Sequence, residues 1–168
     1  GELFPEPYPF NFGSELIKVP SLDGNGKMSK SENVNATIYL ADDDDTIRKK
    51  TMKAKSGLSP EQANSPMTED IQNLFSLMRL MTDANIVAQY EAAYADCSIR
   101  FGDMKKQLAE DMIRFVAPIR ERAADLQKDE ARLQRILKEG AEKARVSAQA
   151  TLQEARKLIG INYQKECL

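Results

Sequence analysis

Lys27, Met28, Ser29, Lys30 and Ser31 set two ammonium groups and two hydroxyls within five residues, and Asp23, Gly24, Asn25 and Gly26 lead into them. Glycines let a backbone approach a ligand closely, and a run of N–H donors beside cations suits a polyphosphate. Lysines three apart can meet different oxygens of one phosphate chain. The matching chemistry is nucleotidyl transfer. When a nucleophile attacks the α-phosphate of ATP, negative charge grows on the departing pyrophosphate, and cations already in place stabilise that state more than the ground state. Taken alone, the five residues also fit a solvated linker of Gly, Ser and Lys.

Three further clusters carry charge. Arg100, Lys105, Lys106 and Arg114 gather around the start of a long helical pattern with Phe101 beside them, an edge that could stack a base and hold phosphates or could equally be a solvated helix face. Arg120, Arg122, Lys128, Arg132, Arg135 and Lys138 alternate with Glu121, Asp125, Asp129, Glu130 and Glu139, which suits intrahelical pairs on a surface. Asp42, Asp43, Asp44 and Asp45 could hold magnesium through water, but consecutive helix residues diverge, and the basic stretch Arg48, Lys49, Lys50 and Lys53 that follows makes a dipole-complementing helix start the better reading. Cys97 and Cys167 lie far apart, without Cys-x-x-Cys spacing and with no histidine in the chain. No metal site is expected from them, and free thiols suit a reducing cytoplasm.

The elements that must position these groups follow from periodicity and punctuation. Leu16 to Val19 is a short apolar run that predicts a strand, with Pro, Gly, Asn and Ser around it. Residues 1 to about 30 are expected to be poorly anchored, because such a strand has no neighbour in this sequence to complete its ladder. A boundary falls near Ala36 to Asp42. A helix should begin within the four aspartates, and Ser56 to Pro66 should be a loop. Thr68, Glu69 and Asp70 open a helix whose Ile71, Leu74, Phe75, Met78 and Met81 follow helical spacing. Asp83 can cap another, carrying Ile86, Val87, Tyr90 and Tyr94, a stripe read as core in preference to a ligand pocket. Gly102 and Asp103 should start a long helix burying Leu108, Met112, Phe115, Val116 and Ile119, kinked at Pro118. The last helix, from about Asp129 to Ile159, aligns Leu133, Ile136, Leu137, Ala144, Leu152, Ala155 and Ile159. Gly140 within it would permit close helix contact, and Gly160 reads as its cap, with Ile161 folding back.

At 168 residues, 42% hydrophobic and 30% charged, the chain has the make-up of a globular unit with a real core. A net charge of −2 gives no overall field for nucleic acid, so any such contact must come from a local basic face. No run approaches the ~20 apolar residues of a membrane span, and no secretory signal is visible, so a cytoplasmic protein without membrane partners is expected.

The loop resembles the second signature of class I aminoacyl-tRNA synthetases, and other landmarks agree with it in order. Pro20 to Gly24 precede it, Ser31-Glu32-Asn33 follow, and Ile38 to Asp43 lead into Thr46-Ile47-Arg48-Lys49-Lys50. Phe101 to Lys105, Ala117 to Arg122 and Leu137 to Ala144 come later. Together they are similar to the carboxy-terminal half of bacterial-type tryptophanyl-tRNA synthetases, from about Phe4 to about Gly160. The first signature of that family, of His-x-Gly-His type, is absent from a chain without histidine, which is therefore expected to be a fragment.

The resemblance implies an all-α fold: a helical bundle of anticodon-binding type, preceded by a remnant strand and phosphate loop of a truncated Rossmann-like catalytic domain. Residues 1–35 would be the tail of that catalytic domain, and residues 36–168 the tRNA-binding helices. It implies that Lys27 and Lys30 contact the phosphates and the leaving pyrophosphate, that Met28, Ser29 and Ser31 shape the loop or donate hydrogen bonds, and that the Val19 backbone touches the adenine side. It also implies that Arg100, Phe101, Lys105, Lys106 and Arg114 meet tRNA(Trp). The whole protein would be a homodimeric tryptophan–tRNA ligase using ATP with Mg2+ and tryptophan; the fragment would be inactive and hold no tight cofactor. Two alternatives remain beside it, a tyrosyl-type class I synthetase and a non-catalytic helical RNA-binding module.

Overall fold

A computed structural model describes residues 3–4, 6–10, 13, 17–31 and 33–161. Among the described residues five α-helices follow one another: α1 (Asp44–Met52), α2 (Glu69–Met81), α3 (Ala84–Ala95), α4 (Phe101–Lys128) and α5 (Glu130–Leu158), with a single 3-10 turn at Val34–Ala36. The residues divide into two compact units, Leu16–Ala123 and Gly1–Glu15 with Ala124–Leu168.

The first unit holds the core. The α1 start falls inside the aspartate run, where the Asp43 carboxylate accepts from the Thr46 N–H at 2.7 Å; the Thr46 hydroxyl first and this N–H second hold its pKa below the usual carboxylate range. Lys49 and Lys50 occupy the last turn, so charge and dipole agree. Helix α2 buries Ile71, Leu74, Phe75, Leu77 and Met78. Asp83 caps α3 through the Asn85 N–H at 2.9 Å, and Val87 and Tyr94 turn inward. The Phe75 and Tyr94 rings meet edge to face, 6.4 Å between centroids. Met104, Leu108, Met112, Ile113 and Val116 of α4 complete the cluster, which also contains Leu22, Ala36 and Ile47. Asp111 is buried there, yet its carboxylate receives Thr82 Oγ1 at 2.8 Å, Gln107 Nε2 at 3.0 Å and Arg114 at 3.0 Å, which offsets its desolvation.

Several expectations are corrected here. The strand predicted over Leu16 to Val19 is not formed: residues 17–19 are irregular, residue 16 lies outside the described residues, and an isolated antiparallel bridge joins Pro20 to Lys27. A strand needs a ladder, and the turn supplies only one rung. Residues 20–22 are buried, so the run to Lys30 is anchored at its middle. In α4 the buried stripe follows 104, 108, 112 and 116 and leans toward Ile113, leaving Phe115 53% and Ile119 39% exposed. Spacing alone admits either lean. The helix continues past Pro118 to Lys128. Arg120 does not form an intrahelical pair; its guanidinium bonds the Asp42 carbonyl at 2.5 Å and the Asp44 carboxylate at 2.6 Å, tying α1 to α4.

In the second unit, Asp129 caps α5 through the Arg132 N–H at 3.0 Å. Gly160 closes it at φ +75°, the Ile161 N–H reaching back to the Arg156 carbonyl at 2.8 Å. No α5 residue is buried, and a Cβ on Gly140 would meet nothing within 4 Å. The close helix contact expected at that glycine is therefore not made.

Candidate functional site

The loop that carries Lys27 and Lys30 stands on a clasped stem. The Leu22 N–H donates to the Ala36 carbonyl at 2.9 Å and the Leu22 carbonyl accepts from Lys55 N–H at 2.9 Å, while the side chain is sunk in the core. These two bonds fasten the segment before the loop to the segment after it and to the end of α1. Between them the chain reverses through Gly24 and Gly26, at φ +77° and +73°. The positive φ is what favours glycine at Gly24; a Cβ there would also crowd the Asp70 carboxylate, which would have to move aside.

Asp23 gathers the turn. Its carboxylate accepts from the Ser21 hydroxyl, the Asn25 N–H at 3.1 Å and Asn33 Nδ2 at 3.0 Å. These bonds, the Ser21 hydroxyl first, bring its pKa from 3.8 down to about 2 against a small opposing effect of burial. Because Asn33 lies beyond the lysines, this one carboxylate joins both sides of the loop. Ser21, Asp23, Asn25, Asn33, Ala36 and Thr37 line a cavity of about 440 Å³ beside it.

The five loop residues, Lys27 to Ser31, differ in their placement. Met28 packs against the core and its N–H donates to the Val19 carbonyl at 2.9 Å, with Val19 also packed inward. Those two residues hold the loop against the core. Ser29 and Ser31 share a hydroxyl contact at 3.0 Å, and the Ser31 N–H points at Ser29 Oγ at 3.4 Å. Lys27 and Lys30 are exposed, and neither ammonium has an ion-pair or hydrogen-bond partner among the described residues. Two exposed cations thus stand on a clasped turn without a partner among the described residues.

The basic group at the start of α4 is less unified. Arg100 is exposed just before the helix, and Lys105 is half-buried, its ammonium pKa pushed down by that burial. Phe101 packs partly on the core instead of standing free. Lys106 pairs with Asp103 at 3.4 Å. Arg114 pairs with the buried Asp111, and nine helical residues beyond Lys105 it lies about half a turn around the axis from it. The structure therefore brings Arg100, Lys105 and Lys106 to one end of α4 and leaves Arg114 apart.

Sequence reasoning missed Thr37 and Lys50. The Thr37 hydroxyl donates to the Ser29 carbonyl at 3.3 Å, and the buried Lys50 ammonium donates to the Thr37 carbonyl at 2.9 Å and to Asp42 Oδ2 at 2.7 Å. Lys50 had the look of a helix-terminal charge. Among the described residues no group of three or more His, Cys, Asp or Glu is placed to hold a metal, and no helix is long and apolar enough to cross a membrane. Cys97 is a free thiol at φ +65°, and Cys167 lies outside the described residues.

A family model described as tRNA synthetases class I (W and Y) matches residues 2–117. The chain belongs to this family. The tryptophan–tRNA ligase of Porphyromonas gingivalis is 52% identical over 159 residues, covering 95% of this chain and 48% of the relative. That of Streptococcus pyogenes serotype M1 is 37% identical over 159 residues, 93% of this chain and 46% of the relative. A crystal structure of the Campylobacter jejuni tryptophanyl-tRNA synthetase complexed with ADP and tryptophan superimposes with a TM-score of 0.68 at 26% identity, covering 88% of this chain and 45% of that one. The chain spans about half the length of the curated relatives it matches. In this class I synthetase chain, the matched residues include the whole loop, its clasp and the start of α4.

Proposed function

We propose that this chain supplies the phosphate loop and the tRNA-facing helices of a tryptophan–tRNA ligase, residues 1–35 belonging with the nucleotide-binding catalytic domain and residues 36–168 with the tRNA-binding helices. The observation that carries the reading is the pair of exposed ammonium groups at Lys27 and Lys30, unpartnered among the described residues and held on a clasped turn inside a class I synthetase match. The carboxylate of tryptophan attacks the α-phosphorus of ATP, forming tryptophanyl-AMP as the bond to pyrophosphate breaks. Lys27 and Lys30 receive the charge that builds on the departing pyrophosphate, and the Ser29 and Ser31 hydroxyls orient it. Met28 and Val19 act as the hinge of the loop. Magnesium would arrive with ATP, bound by its phosphates.

The activated tryptophan then passes to tRNA(Trp). Arg100 and Lys105, with Lys106 and the exposed part of Phe101 beside them, are the edge offered to RNA; Arg114, about half a turn around α4 from Lys105, contributes separately from that edge. The ligase would work as a cytoplasmic homodimer, and this chain by itself, without histidine and hence without the His-x-Gly-His signature, is expected to be inactive. The relatives named as tryptophan ligases support tryptophan over tyrosine as the amino acid.

The test is a chimera in which this chain replaces the matched portion of the Porphyromonas gingivalis relative. Tryptophan-dependent exchange of pyrophosphate into ATP should fall by roughly 10² to 10³ in Lys30→Ala, the cost of removing one donor from a transition-state clamp. An unchanged rate would overturn the assignment of the loop.

A further inference from the structure

The loop's cations face outward, yet the carbonyl of Ser29 between them is held from behind by a polar chain that runs into the protein. Thr37 Oγ1 donates to Ser29 O at 3.3 Å, and Lys50 Nζ donates to Thr37 O at 2.9 Å and to Asp42 Oδ2 at 2.7 Å. Asp42 Oδ2 also accepts the Tyr39 N–H at 3.0 Å, and the Lys50 ammonium lies 4.7 Å from the centroid of the Tyr39 ring. Thr37 and Lys50 are 6% and 9% exposed.

Segment 37–42 belongs to no regular element; apart from the Asp42 N–H, which donates to the Tyr39 carbonyl at 3.0 Å, its paired backbone groups use side chains, Lys50 for the Thr37 carbonyl and Asp42 for the Tyr39 N–H. A buried ammonium is costly unless it is fully used. Here its hydrogen bonds go to a carbonyl and a carboxylate of that irregular segment, the stretch that carries the tether to Ser29. A helix-terminal lysine needed only for the dipole would be left in solvent.

We propose that Thr37 and Lys50 are positioning residues for the phosphate loop: Lys50 fixes the 37–42 segment, and the Thr37 hydroxyl fixes the height of Ser29 and with it the reach of Lys27 and Lys30 toward the leaving pyrophosphate. The inference rests on the loop acting as proposed above. Neither residue touches substrate. Their effect lies on the geometry of the two lysines in the transition state, so it belongs in kcat for pyrophosphate exchange and not in the KM for tryptophan.

The experiment uses the same chimera. Thr37→Val removes the donor with little change of shape and leaves the Lys50–Asp42 pair intact, whereas Lys50→Met unpairs a half-buried carboxylate and can weaken folding. Thr37→Val should keep its far-UV circular dichroism and melting temperature, retain the KM for tryptophan, and lose kcat on the order of tenfold to a hundredfold, the range that a displacement of about 1 Å costs. Thr37→Ser, which keeps the hydroxyl, should restore the parent kcat. A folded Thr37→Val at the parent rate, beside a crippled Lys30→Ala, overturns the tether and leaves the loop assignment standing. Parent rates in both variants overturn both.

Discussion

Helices α2 and α5 carry the same kind of apolar repeat and end in opposite environments. In α2 the repeat is sealed: Ile71, Phe75, Leu77 and Met78 are fully buried. In α5, Ile136, Leu137, Leu152 and Ile159 are 51%, 70%, 47% and 68% exposed, although Asp129 and Gly160 cap its ends as regularly as in any other helix of the chain. A helix needs its caps and its propensity to form; it needs a partner surface to bury its stripe. The contrast shows that amphipathicity records which side chains share a face and says nothing of what covers them.

The sharpest way to break the comparison is to truncate one residue in each helix. Phe75→Ala should cost about 3–5 kcal/mol in urea unfolding, because a buried ring leaves both lost contacts and a cavity. A loss below about 1 kcal/mol would show that α2 is not central to the core. A smaller effect is expected at the loop's clasp. The folded pKa of Asp23 lies at about 2, below its ordinary 3.8, so its stabilisation is present above 3.8 and disappears as pH falls from there toward about 2. Urea midpoints followed from about pH 5 down to about pH 2 should decline less steeply in Asp23→Asn than in the parent chain. Equal slopes would remove the carboxylate as the clasp. The smallest effect belongs to α5, where Leu137→Gln should shift stability by no more than about 0.5 kcal/mol. A larger loss in that variant would show the face to be covered in solution.

Much of the first unit was legible in the residues. The aspartate run announced the start of α1, Asp83 that of α3, and the spacing from Ile71 to Met78 the buried face of α2, because caps and 3.6-residue periodicity are local properties. The lysines of the loop were legible for the same reason, their types and spacing being enough to suggest a polyanion. The strand before them was not, since a strand is defined by its neighbour, and the single bridge from Pro20 to Lys27 does not make a ladder. The lean of α4 toward Ile113 and away from Phe115 was likewise invisible, because a helix offers two flanks to its main stripe and the packing chooses.

Thr37 and Lys50 show the limit most clearly. Lys50 stands 13 residues beyond Thr37 and at the end of a helix, where a solvated charge is the ordinary expectation. By itself the sequence determined the chemistry within reach, two cations on a glycine-entered turn in a chain that matches class I tRNA synthetases, and where α1, α3 and α5 are capped. Only the tertiary structure decided which charges stay free and which are buried as ties. A side chain's type is written locally, whereas its desolvation and its partners depend on segments that meet only when the chain has folded.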